Sequence, residues 1–154
     1  MNHLVRLTAS NYRDYRRSLT KVEYSFTKRG SQNLVDPHLV AQISQSSILG
    51  KGDFLDEIEK PNTAMYVYRN DAEENIGIAI LTFSKRTCNI HDFAVFEKGK
   101  GLGTELYKQI KELILAKGCK EVTLWCPFEG AQEFWKAMDF FEIPKQQFCF
   151  KSFL

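Results

Sequence analysis

Apolar positions in this chain keep two different periods. Between Ala64 and Phe96 they come in dense runs, and Met65 to Tyr68, Ile76 to Phe83 and Thr87 to Phe96 read as three strands. Asn70-Asp71 and Ser84-Lys85-Arg86 separate them, and connections this short predict antiparallel neighbours. From Leu102 the period becomes that of a helix. Leu102, Leu106, Ile110, Leu113 and Ile114 share one face, Glu105, Lys108, Lys111 and Glu112 the other, and Gly118 is a natural stop. Val122, Leu124 and Cys126 then alternate as a strand. Ile90 to Cys126 is therefore a strand–helix–strand unit, expected as a right-handed parallel crossover. A short helix over Gly130 to Met138 follows, and Phe148 and Phe150 mark a last strand.

Before Ala64 the text is less regular. Leu4 to Leu7 reads as a short edge strand, and Ser10 as the N-cap of a helix carrying Tyr12, Tyr15, Leu19, Val22 and Phe26, ended by Gly30-Ser31. From Ser31 to Asn62, Pro37, Gly50, Gly52 and Pro61 leave room for short helical pieces at best. The element order predicts an α/β (α+β) fold: a mixed, mostly antiparallel central sheet flanked by helices on both faces, with the parallel crossover at 90–126. With 154 residues and no repeat or evident linker, one domain spanning 1–154 is expected.

Composition narrows the setting. A net charge of +2 argues against nucleic acid or an anionic membrane surface as partner. The first residues show no apolar leader, and no apolar run nears the roughly 18 residues of a membrane span. Cys88, Cys119, Cys126 and Cys149 contain no C-x-x-C pair and no metal-ligand spacing with histidine, so no metal is expected. They read as buried free thiols of a cytoplasmic protein.

The segment with the most chemistry is Lys98-Gly99-Lys100-Gly101-Leu102-Gly103, between an apolar strand and an amphipathic helix. Glycines let backbone N–H groups approach a ligand closely, and the helix start adds unpaired donors and the positive dipole end. That is an anion site, most often for phosphate. A Walker loop is excluded because no lysine follows Gly103, and a dinucleotide fingerprint because its third glycine falls on Thr104. The spacing is basic-x-x-Gly-x-Gly. With its flanking strands, and an aromatic helix ending Phe134-Trp135-Lys136-Ala137-Met138-Asp139-Phe140, the stretch from Ile76 to Ile143 resembles the GNAT superfamily of acyl-CoA-dependent N-acyltransferases.

The resemblance implies a GNAT fold and a set of roles. Backbone amides of Lys98, Gly99, Lys100, Gly101, Leu102, Gly103 and Thr104 would hold the pyrophosphate of acetyl-CoA, with Gly101 and Gly103 permitting the approach. Main-chain groups of Phe93, Ala94 and Val95 would pair with the pantetheine arm, and one amide there would polarise the thioester carbonyl, a role worth roughly 3–4 kcal/mol. An amine would attack the thioester directly in a ternary complex. Three positions depart from the family pattern. Lys98 stands where arginine or glutamine is usual, keeping charge but not the planar fork. Trp135 stands where many members carry the tyrosine that protonates the departing thiolate, and Phe128 replaces an asparagine. Indole has no useful acid function, so the proton falls to Cys126 or to water.

For the base, His91 lies four residues before Val95, with its side chain expected on the face of Phe93 and Val95. A hydrogen-bonded structural histidine fits the same position. Asp92, on the opposite face, is the second candidate, and Glu97 reads as a helix cap or a further one. The family places the acceptor pocket in the region Asn11 to Asn62. Asp53, Asp56, Glu57 and Glu59 there fit either attraction of a cationic amine or a solvated helix start. The reading is an acetyltransferase acting on a small-molecule or peptide amine, as monomer or homodimer. Two alternatives stand beside it: a CoA-binding module with weak or lost catalysis, and an acyltransferase using another acyl-CoA.

Overall fold

The computed structural model describes residues 1–15, 54–97 and 99–154. Lys98, Asp53 and all but the first turn of the helix expected after Ser10 lie outside the described residues. Dense β-branched and aromatic runs produce a seven-stranded sheet in the order β1-β2-β3-β4-β5-β7-β6. Its strands are β1 His3–Arg6, β2 Thr63–Arg69, β3 Asn75–Ser84, β4 Thr87–Val95, β5 Glu121–Trp125, β6 Phe141–Glu142 and β7 Cys149–Phe153. Three described helices join them: α1 Phe54–Glu59, α2 Leu102–Ala116 and α3 Glu129–Ala137. The expected antiparallel hairpins form, β2 on β3 and β3 on β4. Among the described strands the one parallel pair is β4 with β5, bridged by α2.

Each face of the sheet carries its own core. On the helix face, Leu106, Tyr107, Ile110 and Ile114 of α2 bury against Tyr68, Ala79, Leu81, Cys88, Ile90, Val122 and Leu124. The spacing of those four residues puts them in one stripe, as their period requires. On the far face Leu7, Met65, Val67, Ile78 and Ile80 form a second core, with Tyr15 and Ile58 of α1 packed on it. β2 and β3 serve both cores at once, which is why their sequences read as nearly unbroken apolar runs.

Two details differ from expectation. The edge strand begins and ends one residue earlier, at His3 and Arg6, and Leu7 instead plugs the far core at 2% exposure. The Ser10 hydroxyl meets that of Thr8 at 2.9 Å, while Asn11 Oδ1 accepts from Thr8 N at 2.7 Å, so the chain turns through Thr8 and Asn11 before helical residues 12–15. All four cysteines are free, three of them buried.

Candidate functional site

The site lies where β4 and β5 part. Their ladder runs from Thr87↔Glu121 to Ile90↔Leu124 and stops there, although β4 continues to Val95. β5 stays with β7 instead, through Trp125↔Cys149 and a bond from Cys126 N to Phe148 O at 2.8 Å. Among the described residues, 92–95 of β4 therefore pair with β3 alone. An open main-chain edge inside a sheet is a ready partner for an extended amide-bearing ligand. This is the stretch, Phe93, Ala94 and Val95, expected to meet the pantetheine arm.

β4 reaches that gap through a β-bulge. Ile80 pairs with Asp92 and Leu81 with Ile90, which leaves His91 as the extra residue. The bulge resets the alternation of side chains. Cys88 and Ile90 face the helices, and so do Phe93 and Val95. His91 Nε2 instead meets Thr82 Oγ1 at 2.8 Å, and Thr82 lies two residues from the far-core Ile80. His91 thus leaves the face of Phe93 and Val95, contrary to strict alternation, and joins Asp92. Asp92 is where expected, opposite Phe93, and only 2% exposed. Two titratable side chains in succession on one side of a strand is the local product of the inserted residue.

Beyond Val95 the chain crosses to α2 through the glycine-rich loop. Gly99 has φ 81° and Gly101 φ 70°, both left-handed, where any Cβ is strained. Gly101 is the N-cap of α2, and no side chain among the described residues caps that turn. The amides of Leu102, Gly103 and Thr104 are the ones a helix start leaves without helical partners, and they follow directly after the open edge of β4. Lys100 pairs with Glu97 at 2.6 Å across the loop, both half-exposed, a contact of small energetic value. Gly103 has a different reason to be glycine. A Cβ there would stand 3.2 Å from Phe134 Cε2, so its small size lets α3 close on α2.

Under the gap sits an aromatic cluster. Phe93 stacks on Phe134 at 5.8 Å and meets Trp135 edge-on at 4.9 Å. Trp135 also meets Phe134, Phe140 and Tyr107 edge-on, at 4.8, 5.1 and 5.5 Å. It is buried on the helix face, the hub of a packed cluster. Cys126 is buried nearby, with its Sγ 3.7 Å from Phe128 O, and burial pushes its thiol up to about 11. The Phe128 position contributes that carbonyl and the N-cap of α3.

Sequence reasoning placed Glu105 on the outer face of α2, and the structure corrects this. Its carboxylate accepts the hydroxyl hydrogen of Tyr68, a fully buried residue of β2. Gln109, one turn on, donates to Tyr68 Oη at 3.1 Å and to Asn2 O at 2.9 Å. The spacing Glu105/Gln109 is visible in the sequence as an i, i+4 pair. Its partner from another strand is not.

The described residues hold no group of three or more side chains suited to a metal ion. None of their helices is long and apolar enough to cross a membrane. A parted strand pair, a glycine-rich turn and a helix start without a side-chain cap among the described residues meet at one end of the sheet. The profile of the acetyltransferase (GNAT) family matches residues 33–140, and the chain belongs to that family. Solved structures share the fold at low identity. The PaiA N-acetyltransferase of Thermoplasma acidophilum, in complex with coenzyme A, superposes with TM-score 0.74 at 13% identity, over 100% of this chain and 99% of that one. A GNAT-family acetyltransferase of Staphylococcus aureus Mu50 gives 0.68 at 13%, over 100% and 99%. An IAA acetyltransferase of Bacillus cereus gives 0.60 at 13%, over the whole of both chains. Among curated proteins none matches the chain in sequence.

Proposed function

We propose that this chain, as one domain over residues 1–154, transfers an acetyl group from acetyl-CoA to an amine by direct attack. The observation that carries the reading is the parting of β4 from β5 immediately before the uncapped start of α2. Pantetheine carries amides that suit the open edge at Phe93–Val95, and the pyrophosphate suits the amides from Gly99 to Thr104, with Lys98 alongside. The fit to this structure is one of donors: left-handed Gly99 and Gly101 turn the chain so that main-chain N–H groups, not side chains, meet the anion. An amide at the β4 end would stabilise the developing oxyanion.

Proton handling divides between the two faces. His91 and Asp92 share the far face with Tyr15 and Ile58, described residues of the Asn11 to Asn62 region, so the amine is taken to enter from that side. Either group, directly or through water, would take the amine proton, and an amine of ordinary basicity near 10.4 needs that help at neutral pH. On the helix face Trp135 supplies packing and no proton. Burial that pushes the Cys126 thiol up to about 11 makes it a poor acid toward an ordinary thiolate near 8.5, so the departing thiolate takes its proton from bulk solvent or from the ammonium formed as the amine attacks.

The two candidate bases are separable by the pH dependence of kcat/KM. If Asp92 is the base, Asp92→Asn lowers kcat/KM by about 100–10,000-fold, while His91→Ala keeps the wild-type profile. An unchanged Asp92→Asn profile with a lost acidic limb in His91→Ala reverses the assignment. Both profiles unchanged leaves water alone as base. The burial of Trp135 favours the second reading, a binding module without turnover, and acetyl-CoA binding with no amine-dependent thiol release would establish it.

A further inference from the structure

We propose that Tyr68 is a positioning residue for the donor site: by donating to Glu105 it turns that carboxylate onto the sheet, away from the anion seat at the start of α2. The inference rests on the acetyl-CoA reading above. Glu105 stands four residues after the Gly101 cap, and its own N–H bonds Gly101 O at 3.1 Å. It is thus in the first turn of the helix whose amides would face the pyrophosphate. An acid there is favoured by the helix dipole but repels a second anion at the same helix end. The cradle needs the dipole and not the charge.

The hydrogen-bond chain resolves that conflict, and its direction is fixed by proton count. The Gln109 amide nitrogen has two hydrogens. One goes to Asn2 O at 2.9 Å, the other to Tyr68 Oη at 3.1 Å. The hydroxyl hydrogen of Tyr68 is left for Glu105, which accepts it. Burial, reinforced by Glu105, holds the Tyr68 phenol above its ordinary range, so the donor keeps its proton at working pH. The chain also fastens the first two turns of α2 to β2 and to the N-terminal residues. Position and charge of the helix start are set by the same three side chains.

Calorimetric titration of acetyl-CoA into wild type, Tyr68→Phe, Glu105→Gln and the double variant tests this. Tyr68→Phe removes one oxygen, keeps the buried ring and leaves Glu105 without its donor. Its Kd for acetyl-CoA is expected to rise about tenfold, or about 1.4 kcal/mol, and the defect to shrink as salt is raised. Adding Glu105→Gln removes the offending charge and should return the Kd to within about threefold of wild type, although the melting temperature stays lowered. A Tyr68→Phe Kd equal to wild type, or a double variant as weak as the single, overturns the proposal in favour of a purely structural network. Failure of wild type to bind acetyl-CoA overturns the donor reading instead, and that arm is read before any variant.

Discussion

Gly101→Val is expected to abolish acetyl-CoA binding and leave a soluble, folded protein. A Cβ at Gly101 meets no atom within 4 Å, so the substitution does not collide with the core. Its cost is in the backbone. At φ 70° an L-residue pays roughly 1–2 kcal/mol, and a β-branched one is a clear outlier. The chain relieves that strain by leaving the left-handed region, which re-aims the peptide leading into α2. The amides of Leu102, Gly103 and Thr104 then no longer converge. A loss of at least about 100-fold in Kd, about 2.8 kcal/mol, is expected. In thermal melts, acetyl-CoA at 100 times its Kd is expected to stabilise wild type by about 2.7 kcal/mol. The variant should melt a few degrees lower without ligand and show no shift with it. A retained shift would mean that side chains, not main-chain amides, hold the anion.

The second large effect is on stability. Trp135→Ala empties the hub that touches Phe93, Phe134, Tyr107 and Phe140, at a site 5% exposed. Deleting a buried aromatic of this kind costs about 3–5 kcal/mol. At about 2–4 °C per kcal/mol for a chain this long, the melting temperature should fall by roughly 6–20 °C. Trp135→Phe keeps most of the contacts and should recover more than half of the loss. Its turnover should keep the wild-type pH dependence, because the indole N–H donates hydrogen bonds but does not titrate at working pH. A pH profile that moves with Trp135→Phe would place this residue in the proton path after all.

Much of this was legible in the sequence because periodicity reports on burial. The stripe Leu106, Ile110, Ile114 and the dense runs of β2 and β3 gave the crossover and the antiparallel sheet. The glycine spacing marked the loop, and its resemblance to the GNAT signature implied an acyl-CoA donor. Three things were out of reach for physical reasons. The bulge at His91 adds one residue without altering composition, so alternation carried the side chain to the wrong face. β6, Phe141–Glu142, is too short for any period to register. Glu105 and Gly103 are set by tertiary neighbours, Tyr68 and Phe134, which lie far away along the chain. In the sequence Gly101 and Gly103 read alike, as one alternating glycine motif. The two glycines serve different constraints, one the backbone angle and the other the approach of α3.

Acetyl transfer, as distinct from acetyl-CoA binding, is read by release of free thiol. Purified wild-type chain should be offered acetyl-CoA with a panel of amines, including peptides, polyamines and aminoglycosides, and with no amine as the reference. Thiol release is expected to require a particular amine class, to saturate with it, and to rise with pH as the amine deprotonates. Thiol release no faster with any amine than without, in a protein that binds acetyl-CoA, would contradict acetyl transfer.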